Sequence, residues 1–335
     1  MDILSYLRAP PWPPVGPVHV AGRKIVFYPG GSPNGWHKIE TEGECLRLAA
    51  FHMAGYDVQG DSTALILGGL IHTGLAQLFA RQGLAVPGNV VNILGLAMPA
   101  STSAAQDFYD PIDAMQIVEQ LTSVPDPILD QPVSTLRWYI QARAAVHVQR
   151  HVVLAVEAPV CIQIAPDLPE YTMLLDLGWR ERASGEISVV DHKSAARPSP
   201  DHFTEYTLSG QFYGQRVGAD RLLGRTRTDI YVNLIGKMPG QHSASCRQLS
   251  LSPYLVSEFP SFVEARLRER AARIAANPPQ VDPFKWPPRL SGGSGGGCRN
   301  RYRTCGALSV CWGGRGSRFD EIFRPVDKVW SQEKL

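Results

Sequence analysis

The sequence predicts an α/β fold in which a mixed sheet is flanked by helices, and three observations predict it. Three consecutive apolar runs, Val152–Ile164, Thr172–Arg180 and Ile187–Asp191, have the length and composition of strands. Helical patterns bracket them, Leu136–Arg150 before and Thr207–Leu222 after. A further strand pattern, Asp229–Ile235, completes an α-β-β-β-α-β order, the arrangement of a sheet packed on by helices.

The remaining elements follow in chain order. Residues 1–36 are rich in proline and glycine and hold a strand or hairpin pattern at His19–Tyr28, Cys45–Ala54 reads as helical, and Gly68–Gln82 is a helix with His72 among apolar positions. Residues 83–132 combine the turn-rich Pro99–Pro111, an apolar helical pattern at Ile112–Leu121 and the loop Pro125–Pro132, which predicts a helical insertion or arch. Ser252 is the expected N-cap of a helix over Pro253–Ala276, whose Arg266, Arg268, Arg270 and Arg273 are expected to form a solvated face. Ser291–Gly297 is a flexible glycine-rich linker. These boundaries give an N-terminal extension (1–40), a main domain (41–290) with its insertion at about 83–132, and a cysteine-rich C-terminal segment (291–335).

The chemistry concentrates in two apolar runs that each deliver a carboxylate. Leu174-Leu175-Asp176 and Val189-Val190-Asp191-His192-Lys193 are separated by Ala183-Ser184-Gly185-Glu186, a turn signal that folds them into an antiparallel hairpin. With Ser184 and Gly185 as a two-residue loop, Gly178 faces Asp191 and Asp176 faces Lys193, so Asp176, Asp191 and Lys193 share one face. Two close carboxylates repel unless a cation lies between them, and Mg²⁺ is commonly held by one or two carboxylates. The lysine adds a fixed positive charge suited to orienting water or stabilising a phosphoryl transition state. An exposed hairpin with scattered charges is the competing account of the D-x-K tripeptide.

Neighbouring residues extend the pattern. Gly68-Gly69-Leu70-Ile71-His72 lies upstream, and Ser209-Gly210-Gln211-Phe212-Tyr213-Gly214-Gln215 lies downstream. The ordered series G-x-x-x-H, D, (apolar)-D-x-K and Q resembles the RecB-type nuclease branch of the PD-(D/E)XK superfamily. The resemblance implies a restriction-endonuclease-like core, Mg²⁺ or Mn²⁺ held by His72, Asp176 and Asp191, a catalytic Lys193, and Gln211 as the start of the family's Q-x-x-x-Y helix. It makes 41–290 the nuclease domain and the activity that of a metal-dependent deoxyribonuclease on DNA ends or single strands, as in phage, prophage or CRISPR-associated enzymes. Three features depart from or extend the family pattern: no glycine shortly precedes Asp176, Gln215 stands where the helix tyrosine is expected with Tyr213 as a candidate substitute, and Glu157 resembles the acidic residue that often precedes the core strands.

Cysteines form a second constellation. Cys298, Cys305 and Cys311 cluster near the C-terminus and Cys45 lies far upstream, an arrangement similar to the iron–sulfur staple of AddB-type and CRISPR-adaptation nucleases. That resemblance implies a [4Fe–4S] cluster on these four thiolates; a structural Zn²⁺ site would use the same ligands. Cys161 and Cys246 fall outside the pattern and are expected to be small core residues.

Composition fits a chain with a sizeable core: 335 residues, 44% hydrophobic and 19% charged. No apolar run of spanning length and no basic-then-apolar leader is evident, so no membrane span and no secretion are expected, and the expected location is cytoplasmic. The net charge of +2 does not by itself indicate nucleic-acid binding. Arg299, Arg301, Arg303, Arg315 and Arg318, with Tyr302 and Trp312 among them, fit a hold on a single strand and fit a solvated basic tail equally. No G-x-x-x-x-G-K-[ST] loop occurs, so any ATP-driven unwinding would need a helicase or recombination partner. Two other classes stay open: a non-catalytic nucleic-acid-binding subunit of a recombination or CRISPR-type complex, and a structural zinc or iron–sulfur protein.

Overall fold

The computed structural model describes residues 18–20, 23–25, 35–36, 39–40, 45–53, 56–58, 63–84, 130–168, 171–224, 227–238, 240–277, 285 and 323–325. In chain order these form β1 (Val18–Val20), β2 (Arg23–Ile25), α1 (Leu46–Met53), β3 (Tyr56–Val58), α2 (Thr63–Leu84) and α3 (Asp130–Tyr139). A single π turn, Ile140–Ala144, joins α3 to α4 (Ala145–Arg150). Then come β4 (His151–Ile162), β5 (Tyr171–Glu181), β6 (Ile187–Ala195), α5 (Pro200–Leu208), α6 (Gly210–Leu223), β7 (Asp229–Gly236), β8 (Ser243–Gln248), α7 (Pro253–Ala276) and β9 (Phe323–Pro325). The expected insertion lies, over residues 85–129, outside the described residues, as do Cys298, Cys305, Cys311 and the basic residues around them.

Contacts divide the chain into two units, Met1–Phe27 with Ser62–Cys161 and Met173–Ser257, and Tyr28–Asp61 with Ile162–Thr172 and Glu258–Leu335. The first carries a five-stranded mixed sheet in the order β4-β5-β6-β7-β8, with β5–β6 and β7–β8 antiparallel and β6–β7 parallel. Helices cover both of its faces. Val190 joins Leu177 and Trp179 in a core with Ile71, Leu75 and Phe79 of α2 and Leu136 of α3. Full burial of such side chains contributes roughly 1.5–3 kcal/mol apiece. Alternation along β6 sends the next residues, Asp191 and Lys193, to the opposite face, where α6 lies. Gly74 lets α2 approach α3, since a Cβ there would collide with the Leu136 side chain.

The first unit differs from expectation at three places. The hairpin register is Leu177↔Val190 through Arg180↔Ile187, which aligns Asp176 with Asp191 and not with Lys193. The cause is a four-residue loop, Arg182 to Gly185: Glu181 N–H donates to Glu186 O at 2.8 Å, and Gly185 takes the left-handed conformation (φ 76°) that ends the turn. The expected helix Thr207–Leu222 is two helices. Ser199 caps α5, with Pro200 behind it, and Ser209 leaves helical geometry (φ −80°, ψ 127°) to cap α6. Strand β8 was not expected at all, because Ser-Ala-Ser-Cys-Arg-Gln lacks apolar alternation; it is a sheet edge, and its half-buried Cys246 packs against the core as expected of a small apolar residue.

In the second unit β3 pairs with β9, Tyr56↔Pro325 to Val58↔Phe323, which brings Phe323–Pro325 beside a segment that closely follows Cys45. Cys45 is buried and its carbonyl accepts the Ala49 N–H as α1 begins. Ser252 caps α7 as expected, through the Leu255 N–H at 3.4 Å. The arginines of α7 are not one solvated face: Arg270 is buried, and Arg268 makes two bonds to the Asp167 carboxylate at 2.6 and 3.0 Å. Among the described residues no helix is long and apolar enough to cross a membrane.

Candidate active site

The site forms where β5 and β6 pass the end of their ladder. β6 is apolar through Val189 and Val190 and then presents Asp191, His192 and Lys193 in succession; the parallel neighbour β7 sets Val232, Asn233 and Leu234 beside them. Asp191 is fully buried (0% exposed) and Asp176 nearly so (6%), whereas the Lys193 side chain is 28% exposed. The structure thus gathers His72, Asp176, Asp191, Lys193 and Gln211 from α2, β5, β6 and α6.

Asp191 is gripped on both oxygens. Lys193 Nζ lies 2.6 Å from Oδ1, and Gln211 Nε2 donates to Oδ2 at 2.7 Å. Gln211 also accepts from Lys193 Nζ through Oε1 at 3.3 Å, so one amide ties the two charged groups together. Phe212 places its ring 5.6 Å from the same ammonium. Gln215 Nε2 adds a second donor to Oδ2 at 2.8 Å.

Asp176 is held differently. Its Oδ2 accepts the backbone N–H of His192 at 2.7 Å and lies 2.7 Å from His72 Nε2. His192 itself points to the α2 face, stacked on Phe79 with centroids 5.5 Å apart and edge-on to the His72 ring at 5.9 Å. Its Nδ1 accepts from Asn233 Nδ2 at 3.0 Å, and the same amide donates to Tyr139 OH at 2.9 Å. Asn233 and His192 are given no role by the sequence, and Gln215 is noted there only as standing at the position of the expected tyrosine. Their signal was polar residues inside otherwise apolar or helical runs, as in Tyr231-Val232-Asn233-Leu234-Ile235.

Burial and charge set the protonation of these groups. Burial opposes a charge on Asp176, but His72, by charge and hydrogen bond, together with Lys193 carries its pKa down to about 2. Burial and then the like charge of Asp176 push the Asp191 carboxyl up, against the pull of Lys193 and Gln215. For Lys193 burial favours the neutral amine, yet the Asp191 and Asp176 carboxylates outweigh it and raise its pKa, so it remains an ammonium. His192 falls to about 3 through burial and stays neutral.

Tyr213 does not take the place of the helix tyrosine. Buried, it donates to Thr207 O at 2.9 Å and anchors the corner between α5 and α6. Glu157 and Cys161 lie on β4, with side chains outside the description. As the side chains stand, His72 and Asp176 are bonded to each other, and among the described residues no three His, Cys, Asp or Glu groups converge as a metal-binding cluster. In donor chemistry the set still fits a hard divalent cation: two buried carboxylates whose mutual repulsion a cation would offset, with an imidazole beside them. No protein-family model matches this sequence, and no curated protein matches it.

Proposed function

We propose that this protein is a metal-dependent nuclease that hydrolyses phosphodiester bonds at DNA ends or in single strands. The observation that carries the reading is the pairing of buried Asp176 and Asp191 on adjacent strands with Lys193 2.6 Å from the second carboxylate. The assignment of the D, D-x-K and Q residues to a restriction-endonuclease-like core is part of the same proposal.

Asp176, Asp191 and His72 would hold Mg²⁺ or Mn²⁺, His72 and Asp176 exchanging their present mutual bond for it. When bound, such a cation neutralises the phosphate and acidifies a water. The chain's own residues supply the rest. Lys193 stays protonated and is part-exposed, so it stabilises charge developing on the phosphate and does not act as a base. Gln211 fixes the ammonium and Asp191 in one geometry, limiting reorganisation. The His192 N–H holds Asp176 as a carboxylate.

A [4Fe–4S] or zinc centre on Cys45, Cys298, Cys305 and Cys311 belongs to the same proposal. It is supported by the β3–β9 pairing, which returns residues 323–325 to the neighbourhood of residues 56–58. Iron, sulfide and zinc analysis of anaerobically purified protein distinguishes the two metals.

The test of the main reading is cleavage of 5′-labelled single- and double-stranded DNA and RNA in Mg²⁺, Mn²⁺ or EDTA. DNA cleavage that requires the metal and is lost in a folded Asp191→Ala variant is expected. Absence of cleavage by the native protein on every substrate, or full activity of Asp191→Ala, would refute it.

A further inference from the structure

Helix α6 sends two amides to one carboxylate oxygen. Gln211 and Gln215, four residues apart and therefore on one helix face, both donate to Asp191 Oδ2, at 2.7 and 2.8 Å. Gln211 also reaches Lys193, whereas Gln215 makes its side-chain bond to Asp191 from a position 1% exposed. Its Oε1 is buried with no hydrogen-bond partner. An unmet buried acceptor is destabilising, so the amide is kept at this position for the bond that its Nε2 makes to the buried Asp191 carboxylate. The amide's orientation is dictated by Asp191: reversed, it would set Oε1 against Oδ2, two acceptors in contact.

We propose that Gln215 is a positioning residue, fixing Oδ2 of Asp191 jointly with Gln211 so that Oδ1 is presented to Lys193 and to a divalent cation. The inference rests on the nuclease reading and goes beyond it by assigning the metal affinity in part to a residue that touches neither metal nor substrate.

The experiment is a calorimetric Mn²⁺ titration of the native chain and of Gln215→Met, with the unfolding midpoint of each measured in EDTA. The variant should bind Mn²⁺ about 10–100-fold more weakly, the usual loss when an outer partner of a ligand is removed. Its midpoint in EDTA should stay within about 2 °C, and its KM for a single-stranded oligonucleotide should not change. Gln215→Asn, which keeps the amide but withdraws it by one methylene, should show the same loss and serves if the methionine variant does not fold. Mn²⁺ affinities of both variants within about twofold of a native protein that binds metal and cleaves DNA would overturn this inference alone. A native protein that neither binds Mn²⁺ nor cleaves DNA would overturn the nuclease reading, and this inference with it.

Discussion

The β5–β6 hairpin buries ionisable groups at both ends and treats them in opposite ways. At the open end Asp176 and Lys193 keep their charges, because each has an opposite charge or a charge-seeking donor within hydrogen-bonding distance. At the turn end His147 packs against Trp179 and Tyr139, with ring centroids 5.3 and 6.3 Å apart, and Nε2 finds no partner. Burial, and then the positive charge of Arg143 with smaller contributions from His151 and Arg150, drives its pKa down to about 4. Burial alone therefore does not decide ionisation. The neighbours do, and the end that retains charge is the end on which the nuclease proposal rests.

Removing His72 should have the largest effect on this contrast. His72→Ala deletes one expected metal donor and the main group that holds Asp176 ionised, so metal affinity should fall by about 10–100-fold while the unfolding midpoint in EDTA changes little. A large loss of thermal stability with an unchanged metal titration would make His72 a packing residue.

A smaller effect is expected from His147. Its folded pKa lies below the ordinary 6.5, so between about pH 6.5 and 4 the unfolded chain takes up a proton that the folded chain does not. Stability should fall as pH drops through that window and level off below it, by about 3 kcal/mol at most from this residue. His147→Phe keeps a ring against Trp179 and should flatten the denaturation-versus-pH curve over the same interval. An unchanged curve would show that His147 titrates normally.

Much of the open end was legible in the sequence, since the apolar runs and the hairpin need only short-range patterns, while the inclusion of His72 and Gln211 with Asp176, Asp191 and Lys193 came from the family resemblance. The register was not, because Ser184-Gly185 reads equally as a two-residue loop or as the close of a four-residue one. The slip was by two, and an even slip leaves every side chain on its own face, so the grouping of Asp176, Asp191 and Lys193 survived the error. The break at Ser209 was hidden because helical residues flank it on both sides. Gln215 and Asn233 were illegible for another reason: their significance lies in which distant residue each touches, and neither Asp191 nor Tyr139 is near in sequence.

The central claim is that Lys193 acts on the chemical step and Asp191 on the metal. Single-turnover cleavage of a labelled single-stranded DNA at saturating Mn²⁺ by the native chain and Lys193→Ala tests it most directly. The account predicts a fall in the cleavage rate of about 10²–10³-fold, the loss typical of one charge-stabilising group, with Mn²⁺ affinity close to native. Cleavage at the native rate would contradict it.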